Sequence, residues 1–487
     1  MKRKISCVLL LRLSSAILKE DKHPRGSRFP YMLKYMEALL KKNPDYNVKL
    51  MDLMITPMES STLLSRVQDW TPDLIVIYST TRDHSVVLEF FSSVKRVCHP
   101  IIVSVGQDPT TRPLQYLFEN SPIDIVLPGD AELELLKVIK ELNNGTDLKN
   151  LKQFYLKQKT LMISELDDLP FPDVTGEELK AYYHIYPIAL NQRLIWGHIL
   201  SSRGCPYPCM FCTEMIRETT GDKPRFRSAG NVVDEIEYLA GKGVNIIIFD
   251  DDNFTTSKSH VQNICAEMRK RDLRMPWVAH ARVDNLTHDL LEVMKETGCL
   301  LLRFGIESGS HRIIKLLEKT TREDWAQQTK KVFRSCQELG IATAALFMVG
   351  SPTETKEEIE ESIRFAKELD PDVIQVSFFT FYPDTKAFKR LENYDNGYDF
   401  AKMYHFSTSD PDLNFSEVDN DTLQKLQNIF YKTILLNPKY IIRHFTKYGL
   451  FYLYNPMTFR SLARIGSYLG WKKEIRSGAQ LCHSGAH

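Results

Sequence analysis

Residues 201–212 read Ser-Ser-Arg-Gly-Cys-Pro-Tyr-Pro-Cys-Met-Phe-Cys, which places three cysteines at the spacing C-x3-C-x2-C. Gly204, Pro206 and Pro208 disfavour regular secondary structure, so this stretch is predicted to be a loop. Three thiols that converge within eight residues are not typical of buried, inert cysteines. They indicate either a bound metal or an oxidation site.

The spacing narrows the choice of metal. A structural zinc site takes four ligands and usually has the fourth Cys or His close in sequence, yet neither residue type occurs in the forty positions after Cys212. Three thiolates instead suit a 4Fe–4S cluster in which one iron keeps an open position. A zinc knuckle or an accidental spacing of cysteines is the alternative.

A regular alternation of apolar runs and helical periodicity follows from about residue 197. Six strands are predicted, at Ile199–Ser201, Ile246–Phe249, Trp277–His280, Leu300–Gly305, Ala344–Met348 and Ile374–Phe379. Six such βα units favour a partial (β/α)6 TIM barrel over a flat sheet. The cysteine loop then follows the first barrel strand.

The first part of the chain predicts a separate α/β domain. Apolar runs at Ile5–Leu11, Val48–Met51, Leu74–Tyr78, Ile101–Val105 and Ile123–Leu127 alternate with amphipathic helices. This pattern is typical of a doubly wound, Rossmann-like parallel sheet with helices on both faces.

The chain is therefore predicted to have four parts: a Rossmann-like domain over 1–145, a linker over 146–195, the partial barrel over 196–400 and a helical segment over 401–487. Residues 431–476 carry nine Lys and Arg and a single acid, interleaved with aromatic residues. We expect this basic, aromatic segment to pack on the barrel with a solvated face. A helix lying at a membrane surface is the alternative.

Composition excludes several classes of protein. The 487 residues carry 63 Lys and Arg against 62 Asp and Glu, and 43% are hydrophobic, which is a globular balance without a basic surface for nucleic acid. The apolar runs are far shorter than the ~18 residues of a transmembrane helix. Because the remaining cysteines are scattered, no disulfide framework is indicated, and a cytoplasmic location is predicted.

The cysteine loop and the βα series behind it resemble the radical SAM superfamily. The resemblance implies that Cys205, Cys209 and Cys212 bind the 4Fe–4S cluster and that its open iron chelates S-adenosylmethionine (SAM). It implies further that one electron cleaves SAM to a 5′-deoxyadenosyl radical. An external one-electron reductant of the flavodoxin or ferredoxin type would then be required.

The same resemblance implies SAM contacts at the carboxyl ends of the barrel strands. Asp-Asp-Asn-Phe at 251–254 stands where many family members have Gly-Gly-Glu, and Glu-Ser-Gly at 307–309 is expected beside the ribose and methionine. The full set of predicted SAM contacts is Phe211, Asp251, Asn253, Arg282, Glu307, Ser308 and Gly350.

A doubly wound domain ahead of such a barrel resembles the cobalamin-binding branch of the superfamily. Ser79, Gly106 and Gly129 stand at three turns expected to approach the corrin, although two of these turns depart from the usual Gly-Gly and Gly-Glu-Gly-Glu patterns. His23 fits the pattern Asp-x-His-x-x-Gly of a lower axial cobalt ligand, but the branch often lacks such a ligand. A vestigial domain that helps the chain to fold is the alternative.

The leading hypothesis is a cobalamin-dependent radical SAM enzyme that transfers a methyl group to an unactivated carbon of a small-molecule or lipid-like substrate. The alternatives are a ring-forming or oxidative cyclase, similar to the anaerobic magnesium-protoporphyrin ester cyclase, and a radical SAM enzyme that lacks cobalamin. A cluster-bearing sensor or binding module is the non-enzyme alternative. We predict no nucleic-acid partner and no transmembrane segment, with peripheral membrane contact restricted to the C-terminal segment.

Overall fold

The computed structural model describes residues 4–13, 29–157, 161–184, 186, 194–212, 221, 223–383, 385–391 and 413–454. Contacts between residues group the chain into two compact units, and each is described by itself. The first unit comprises residues 1–184, 195–275 and 380–403, and the second comprises residues 185–194, 276–379 and 404–487.

The elements alternate along the chain as the sequence predicts. The strands are β1 (Cys7–Arg12), β2 (Asn47–Asp52), β3 (Leu74–Tyr78), β4 (Ile101–Val105), β5 (Ile125–Leu127), β6 (Trp196–Ile199), β7 (Ser202–Arg203), β8 (Arg225–Phe226), β9 (Ile246–Phe249), β10 (Trp277–Ala281), β11 (Cys299–Glu307), β12 (Ala342–Val349) and β13 (Val373–Phe378). The helices are α1 (Tyr31–Lys41), α2 (Ser60–Trp70), α3 (His84–Val97), α4 (Gln107–Thr111), α5 (Glu132–Asn143), α6 (Leu148–Lys157), α7 (Gly176–Leu179), α8 (Ala229–Gly241), α9 (Lys258–Lys270), α10 (His288–Glu296), α11 (His311–Leu316), α12 (Trp325–Glu338), α13 (Lys356–Leu369), α14 (Lys386–Lys389), α15 (Asn420–Leu435) and α16 (Pro438–Tyr454).

The first unit contains a five-stranded parallel sheet in the order β2-β1-β3-β4-β5. Alternate residues of β1 enter opposite cores: Val8 and Leu10 pack with α1 and α5, whereas Leu9 and Leu11 pack with α2 and α3. Because successive side chains of a strand point to opposite faces, a continuous apolar run is what a sheet covered on both sides requires. This order is that of flavodoxin-like sheets, which bind ligands at their carboxyl edge.

The predicted linker contains a helix that periodicity had not located. In α6, Leu151 and Tyr155 are buried against the core formed by α1 and α5. Their spacing of four residues puts both side chains on one helix face, so α6 packs on the same core as α1 and α5. The predicted division at residue 145 remains a prediction.

The remaining strands of the first unit flank the cysteine loop in sequence, with β6 and β7 before it and β8 and β9 after it. β6 pairs in parallel with β9, and β7 forms a short antiparallel pair with β8. The helices that follow, α8 and α9, are capped by Ser228 and Ser257, whose hydroxyls accept a backbone N–H of the first turn. Such caps satisfy donors that the helix leaves unbonded.

The second unit contains the parallel strands β10, β11, β12 and β13, each paired with the next. α15 packs beside β13, where the Gln427 amide and the Tyr431 hydroxyl bond the backbone of Val376. Parallel sheets and intervening helices confirm the predicted α/β class. α15 and α16 lie within the predicted C-terminal segment, whose bounds remain a prediction. No helix within the described part of the chain has both the length and the apolar character needed to cross a membrane.

Candidate active site

The three cysteines lie directly after β7, in a loop whose backbone is fixed at several points. Gly204 adopts a φ of +96°, a conformation that favours glycine. Cys205 N–H donates to the carbonyl of Gly221 at 3.3 Å, and Cys212 N–H donates to the carbonyl of Cys209 at 3.2 Å. Cys209 is buried, the other two are half-buried, and all three are thiols rather than disulfides. Three soft donors on one short turn fit a three-cysteine 4Fe–4S cluster.

The middle of the loop is anchored on α14, within the same unit. The carbonyl of Met210 accepts the N–H of Ala387 at 3.1 Å, and the Arg390 guanidinium lies 3.1 Å from the Met210 sulfur. Met210 is fully buried and Phe211, a predicted SAM contact, is half-buried. The buried methionine therefore orients the turn that carries Cys209 and Cys212.

Asp251 braces the residues immediately before the loop. Its carboxylate accepts the Ser202 hydroxyl at 2.8 Å, the Ser201 hydroxyl at 3.0 Å and the Ser202 N–H. The Ser201 oxygen also bonds Nε2 of His260 at 3.0 Å. Burial raises the pKa of Asp251 to about 7, against the opposing effect of the serine hydrogen bonds. Both carboxylate oxygens thus contact protein, and the SAM contact predicted for Asp251 remains a prediction.

Asn253, two residues on, is better placed to meet a ligand. Its Oδ1 accepts the Thr255 hydroxyl at 3.0 Å, which fixes the orientation of the amide. Its Nδ2 is buried and has no hydrogen-bond partner among the described residues. A buried donor costs free energy unless something accepts from it, so an acceptor group of a ligand would satisfy Asn253, and its SAM contact remains a prediction.

Arg203, beside the loop, ties it to the N-terminal fold within the first unit. Its guanidinium bonds Asp130 at 2.8 Å and Glu132 at 2.7 Å, at the start of α5. Arg225 on β8 bonds the same Asp130 at 2.5 Å. The acids of the motif Gly129–Glu132 are therefore engaged by the strands flanking the cysteines, a role that sequence reasoning missed.

In the second unit, Glu307 and Arg282 meet through a lysine that the sequence did not single out. Lys319 Nζ lies 2.7 Å from the Glu307 carboxylate, and both side chains are about 9% exposed. Arg282 donates to the carbonyl of Lys319 and pairs with Asp284 at 2.5 Å. Glu307 adopts a φ of +66° at the end of β11, and a non-glycine residue in this region marks strain of the kind found at functional sites.

Ser308 and Gly309 hold the turn after β11 against α13. The Ser308 hydroxyl lies 3.0 Å from that of Ser362, and the Gly309 N–H donates to the Ser362 hydroxyl at 2.8 Å. A Cβ on Gly309 would stand 2.8 Å from atoms of Phe365 and Ser362. The glycine is thus required by close packing, and the SAM contact of Ser308 remains a prediction.

Gly350 lies in a turn supported by a buried acid. One Glu354 oxygen accepts the N–H groups of Gly350 at 2.7 Å and Ser351 at 3.0 Å. Burial raises the pKa of Glu354 to about 8. Its second oxygen and the Ser351 hydroxyl have no hydrogen-bond partner among the described residues. These buried polar atoms beside Gly350 suit a polar ligand, whereas the cap of α13 is Thr355.

The structure brings the three predicted cobalamin turns together at the carboxyl edge of the five-stranded sheet. Gly106 has a φ of +106°. The Thr110 hydroxyl donates to the Gly106 carbonyl at 2.6 Å and accepts the N–H of Gly129 at 3.0 Å. The Ser79 N–H donates to the carbonyl of Val105 at 2.9 Å. The sheet edge fits a ligand of this class, but these residues are buried among protein atoms, so their contact with a corrin remains a prediction. His23 lies outside the described residues.

The described C-terminal helix packs through its basic and aromatic residues. Arg443 pairs with Asp370, Lys447 lies 3.1 Å from Asp372, and the Tyr440 hydroxyl donates to the Asp372 carbonyl at 3.0 Å. Phe445 is 73% exposed. These contacts fit the expectation of packing with a solvated face, and peripheral membrane contact remains a prediction.

Comparisons with known proteins agree with this geometry. The model of the Radical SAM superfamily matches residues 199–366. The chain is 26% identical to an uncharacterised methyltransferase of Pyrococcus horikoshii, over 85% of this chain and 89% of that protein. It is 25% identical to the anaerobic magnesium-protoporphyrin IX monomethyl ester cyclase of Rubrivivax gelatinosus, over 87% of this chain and 76% of that protein.

Among solved structures, the fold is similar to that of TsrM, a radical S-adenosylmethionine methyltransferase from Kitasatospora setae with cobalamin and a 4Fe–4S cluster bound. The TM-score is 0.62 at 19% identity, covering 79% of this chain and 77% of that chain. At this identity the similarity concerns the fold. Together, the matches confirm the predicted resemblance and the α/β architecture.

Proposed function

We propose, from the radical SAM domain that this chain carries at residues 199–366, that the protein is a radical SAM enzyme that transfers a methyl group to an unactivated carbon with the help of cobalamin. The observation that carries the proposal is the loop of Cys205, Cys209 and Cys212, fixed after β7 in the sequence context that the family model matches. When bound there, a 4Fe–4S cluster with one open iron supplies the electron that cleaves SAM.

In this proposal, the chain's own residues bind the cluster and SAM and orient them. Asp251 and Met210 hold the two sides of the cysteine turn, which keeps the three thiolates in one geometry. Asn253 offers a buried donor, and the turn at Gly350 offers a backbone that can approach a ligand closely. No protein nucleophile is needed, because positioning of reactants accounts for much of the rate in such sites.

Cobalamin is proposed for the five-stranded sheet. Its support is the strand order, the convergence of three turns at its carboxyl edge, and the cobalamin bound in TsrM. When bound, cobalamin supplies a carrier for the methyl group between SAM and the substrate. In this proposal the sheet binds a cofactor, whereas a vestigial domain would only help the chain to fold.

A second candidate function is ring formation, favoured by the similarity to the Rubrivivax gelatinosus cyclase over 87% of this chain. The two functions share the cluster and SAM but differ in the fate of SAM. Methylation of carbon consumes one SAM as methyl donor and a second as radical source, whereas ring formation consumes SAM only as radical source. The products therefore distinguish them.

The experiment uses the full chain, purified and reconstituted with iron and sulfide under anaerobic conditions. We expect about four irons per chain, and 5′-deoxyadenosine on addition of SAM and dithionite. Cys209→Ser should abolish both, whereas Cys265→Ser, a buried cysteine of α9, should leave both unchanged. Zinc in place of iron, or no metal at the loop, would contradict the proposal.

Cobalamin and methylation are tested separately. After incubation with hydroxocobalamin and gel filtration, the chain should retain about one equivalent of corrin absorbance. Reduction with SAM should then give S-adenosylhomocysteine as well as 5′-deoxyadenosine. Corrin retention with 5′-deoxyadenosine alone would favour the cyclase, and no corrin retention would favour the vestigial domain. The physiological reductant is proposed to be a flavodoxin or ferredoxin, and the substrate a small or lipid-like molecule.

A further inference from the structure

Two histidines and an aspartate that are not part of the cysteine loop gather in the first unit. His184 lies after α7, His198 is on β6, and Asp250 directly follows β9. One ligand atom from each lies within 4.8 Å of the other two. Among the residues that the structure describes, no other three His, Cys, Asp or Glu side chains have ligand atoms within 4.8 Å of one another.

The hydrogen bonds of His198 define which ring nitrogen faces the aspartate. Its Nε2 lies 3.2 Å from the carbonyl of Tyr182. In the tautomer that carries the proton on Nε2, this nitrogen donates to the carbonyl, which only accepts. Nδ1 lies 3.1 Å from Oδ2 of Asp250. In a neutral imidazole, Nδ1 is then an unprotonated acceptor pointing at a carboxylate oxygen, which is also an acceptor.

This contact between acceptors is relieved when Nδ1 carries a proton or when a cation lies between the two atoms. Metal-bound histidines almost always donate their other N–H to a carbonyl or carboxylate, as His198 does to Tyr182. For bonds of about 2.1 Å, a separation of 3.1 Å corresponds to an angle at the metal of about 95°, which an octahedral or distorted site accepts.

The residues around the three side chains resemble those that support the ligands of a metal centre. The Tyr31 hydroxyl donates to Oδ2 of Asp250 at 2.8 Å. The Phe29 ring is stacked on His198 at 5.2 Å, and the Trp196 ring meets His184 edge-on at 5.1 Å. The His198 side chain is fully enclosed, whereas that of Asp250 keeps 21% exposure. The rings of Phe29 and Trp196 limit the access of water to the histidines. The partly exposed Asp250 carboxylate leaves a route by which an ion can enter.

From this geometry we propose that His184, His198 and Asp250 bind a divalent first-row transition metal such as Zn2+ or Fe2+. Two imidazoles and one carboxylate are the donors that such ions prefer. A bound ion would cross-link β6, β9 and the segment after α7, and through Tyr31 it would fix α1. None of the three ligands belongs to the cysteine loop, so this site stands or fails independently of the proposed radical SAM function.

The test begins with the unmodified full chain, holding its reconstituted cluster. The chain is treated with a mild chelator, titrated with Zn2+ and examined by zinc-edge X-ray absorption. We expect about one tightly bound zinc, with nitrogen and oxygen neighbours at about 2.0–2.2 Å and no sulfur shell at about 2.3 Å. A sulfur shell would place the zinc at cysteines. No retained zinc would mean that these three side chains hold no metal. Either result overturns the proposal.

Single substitutions test whether His198 and Asp250 are ligands of the metal. His198→Gln and Asp250→Asn should each abolish zinc binding, while His288→Gln, which alters an exposed histidine, should leave it unchanged. Tyr31→Phe keeps all three ligands and removes only the hydrogen bond to Asp250, so it should fold and bind zinc 10–100-fold more weakly. Wild-type affinity in Tyr31→Phe together with either ligand variant would refute the site, even if the remaining variant fails to fold.

Discussion

Substitution of Glu354 by glutamine should change how the stability of this protein depends on pH. Glu354 is fully buried, and one of its oxygens accepts the N–H groups of Gly350 and Ser351. Glutamine has the same shape and retains an oxygen that can accept both hydrogen bonds. It differs in having no proton to lose, so the comparison isolates the ionisation of the buried acid.

The direction and the size of this change in stability follow from the pKa of Glu354. Burial raises the pKa of Glu354 from 4.5 to about 8 in the folded chain. A raised folded pKa contributes stability that is complete below pH 4.5 and is lost as the pH rises through about 8. Between pH 5 and pH 9, wild type should therefore lose on the order of 4 kcal/mol of unfolding free energy relative to Glu354→Gln, at 1.36 kcal/mol per pKa unit.

The assay is urea unfolding of cluster-free protein at pH 5, 7 and 9, for wild type and variant. Glu358, four residues along α13, provides a matched contrast. The hydrogen bond from Arg312 lowers its pKa to about 2, so its stabilisation is present above pH 4.5 and is lost as the pH falls. Glu358→Gln should therefore reduce stability at neutral pH and have little effect in acid, the opposite of Glu354→Gln.

A flat difference between wild type and Glu354→Gln across pH 5 to 9 would refute the reasoning. It would mean that the carboxyl is hydrated or that a cation compensates its charge. A slope of the same sign for Glu358→Gln would refute it as well, since the two acids differ in burial and in partner.

Four further predictions follow from the contacts described for the candidate active site. Lys319→Met leaves the Glu307 carboxylate buried without its partner and should cost about 3–5 kcal/mol in urea unfolding. Gly106→Ala should lower the melting temperature more than Gly145→Ala, since both glycines have positive φ but only at Gly106 would a Cβ meet neighbouring atoms, at 2.8 Å. Asp251→Ala should reduce the iron retained after gel filtration, with the asparagine variant intermediate. Asn253→Ala should weaken SAM binding in equilibrium dialysis by roughly 10-fold, the value of one hydrogen bond to a charged group.

The elements of this fold could be predicted because their signals are local. β3, β4 and β9 are short runs of Val and Ile, and each lies where periodicity places it. The cysteine loop was equally visible, since its three ligands lie within eight residues. α6 was missed because its neighbours, rich in Lys and Asn, obscured the apolar spacing of Leu151 and Tyr155.

The contacts of the site could not be predicted in the same way. The partners of Asp251 are serines some fifty residues earlier in the chain, and no motif indicates this pairing. Lys319 carries no motif of its own, and its importance comes from Glu307, twelve positions away and on another element. Hydrogen-bond partners of this kind depend on where strand ends meet in space, which one sequence does not encode at the level of single residues.

The ion pairs of Arg203 and Arg225 with Asp130 and Glu132 have a consequence for protein engineering. A shortened chain starting after residue 157 would retain two guanidinium groups that had lost their carboxylates. Removing one member of an enclosed pair is costly, whereas replacing every member by apolar residues of similar volume is often tolerated. Moving the part of the chain after residue 157 onto another scaffold would therefore require replacing both arginines. The two parts of the chain are better kept together.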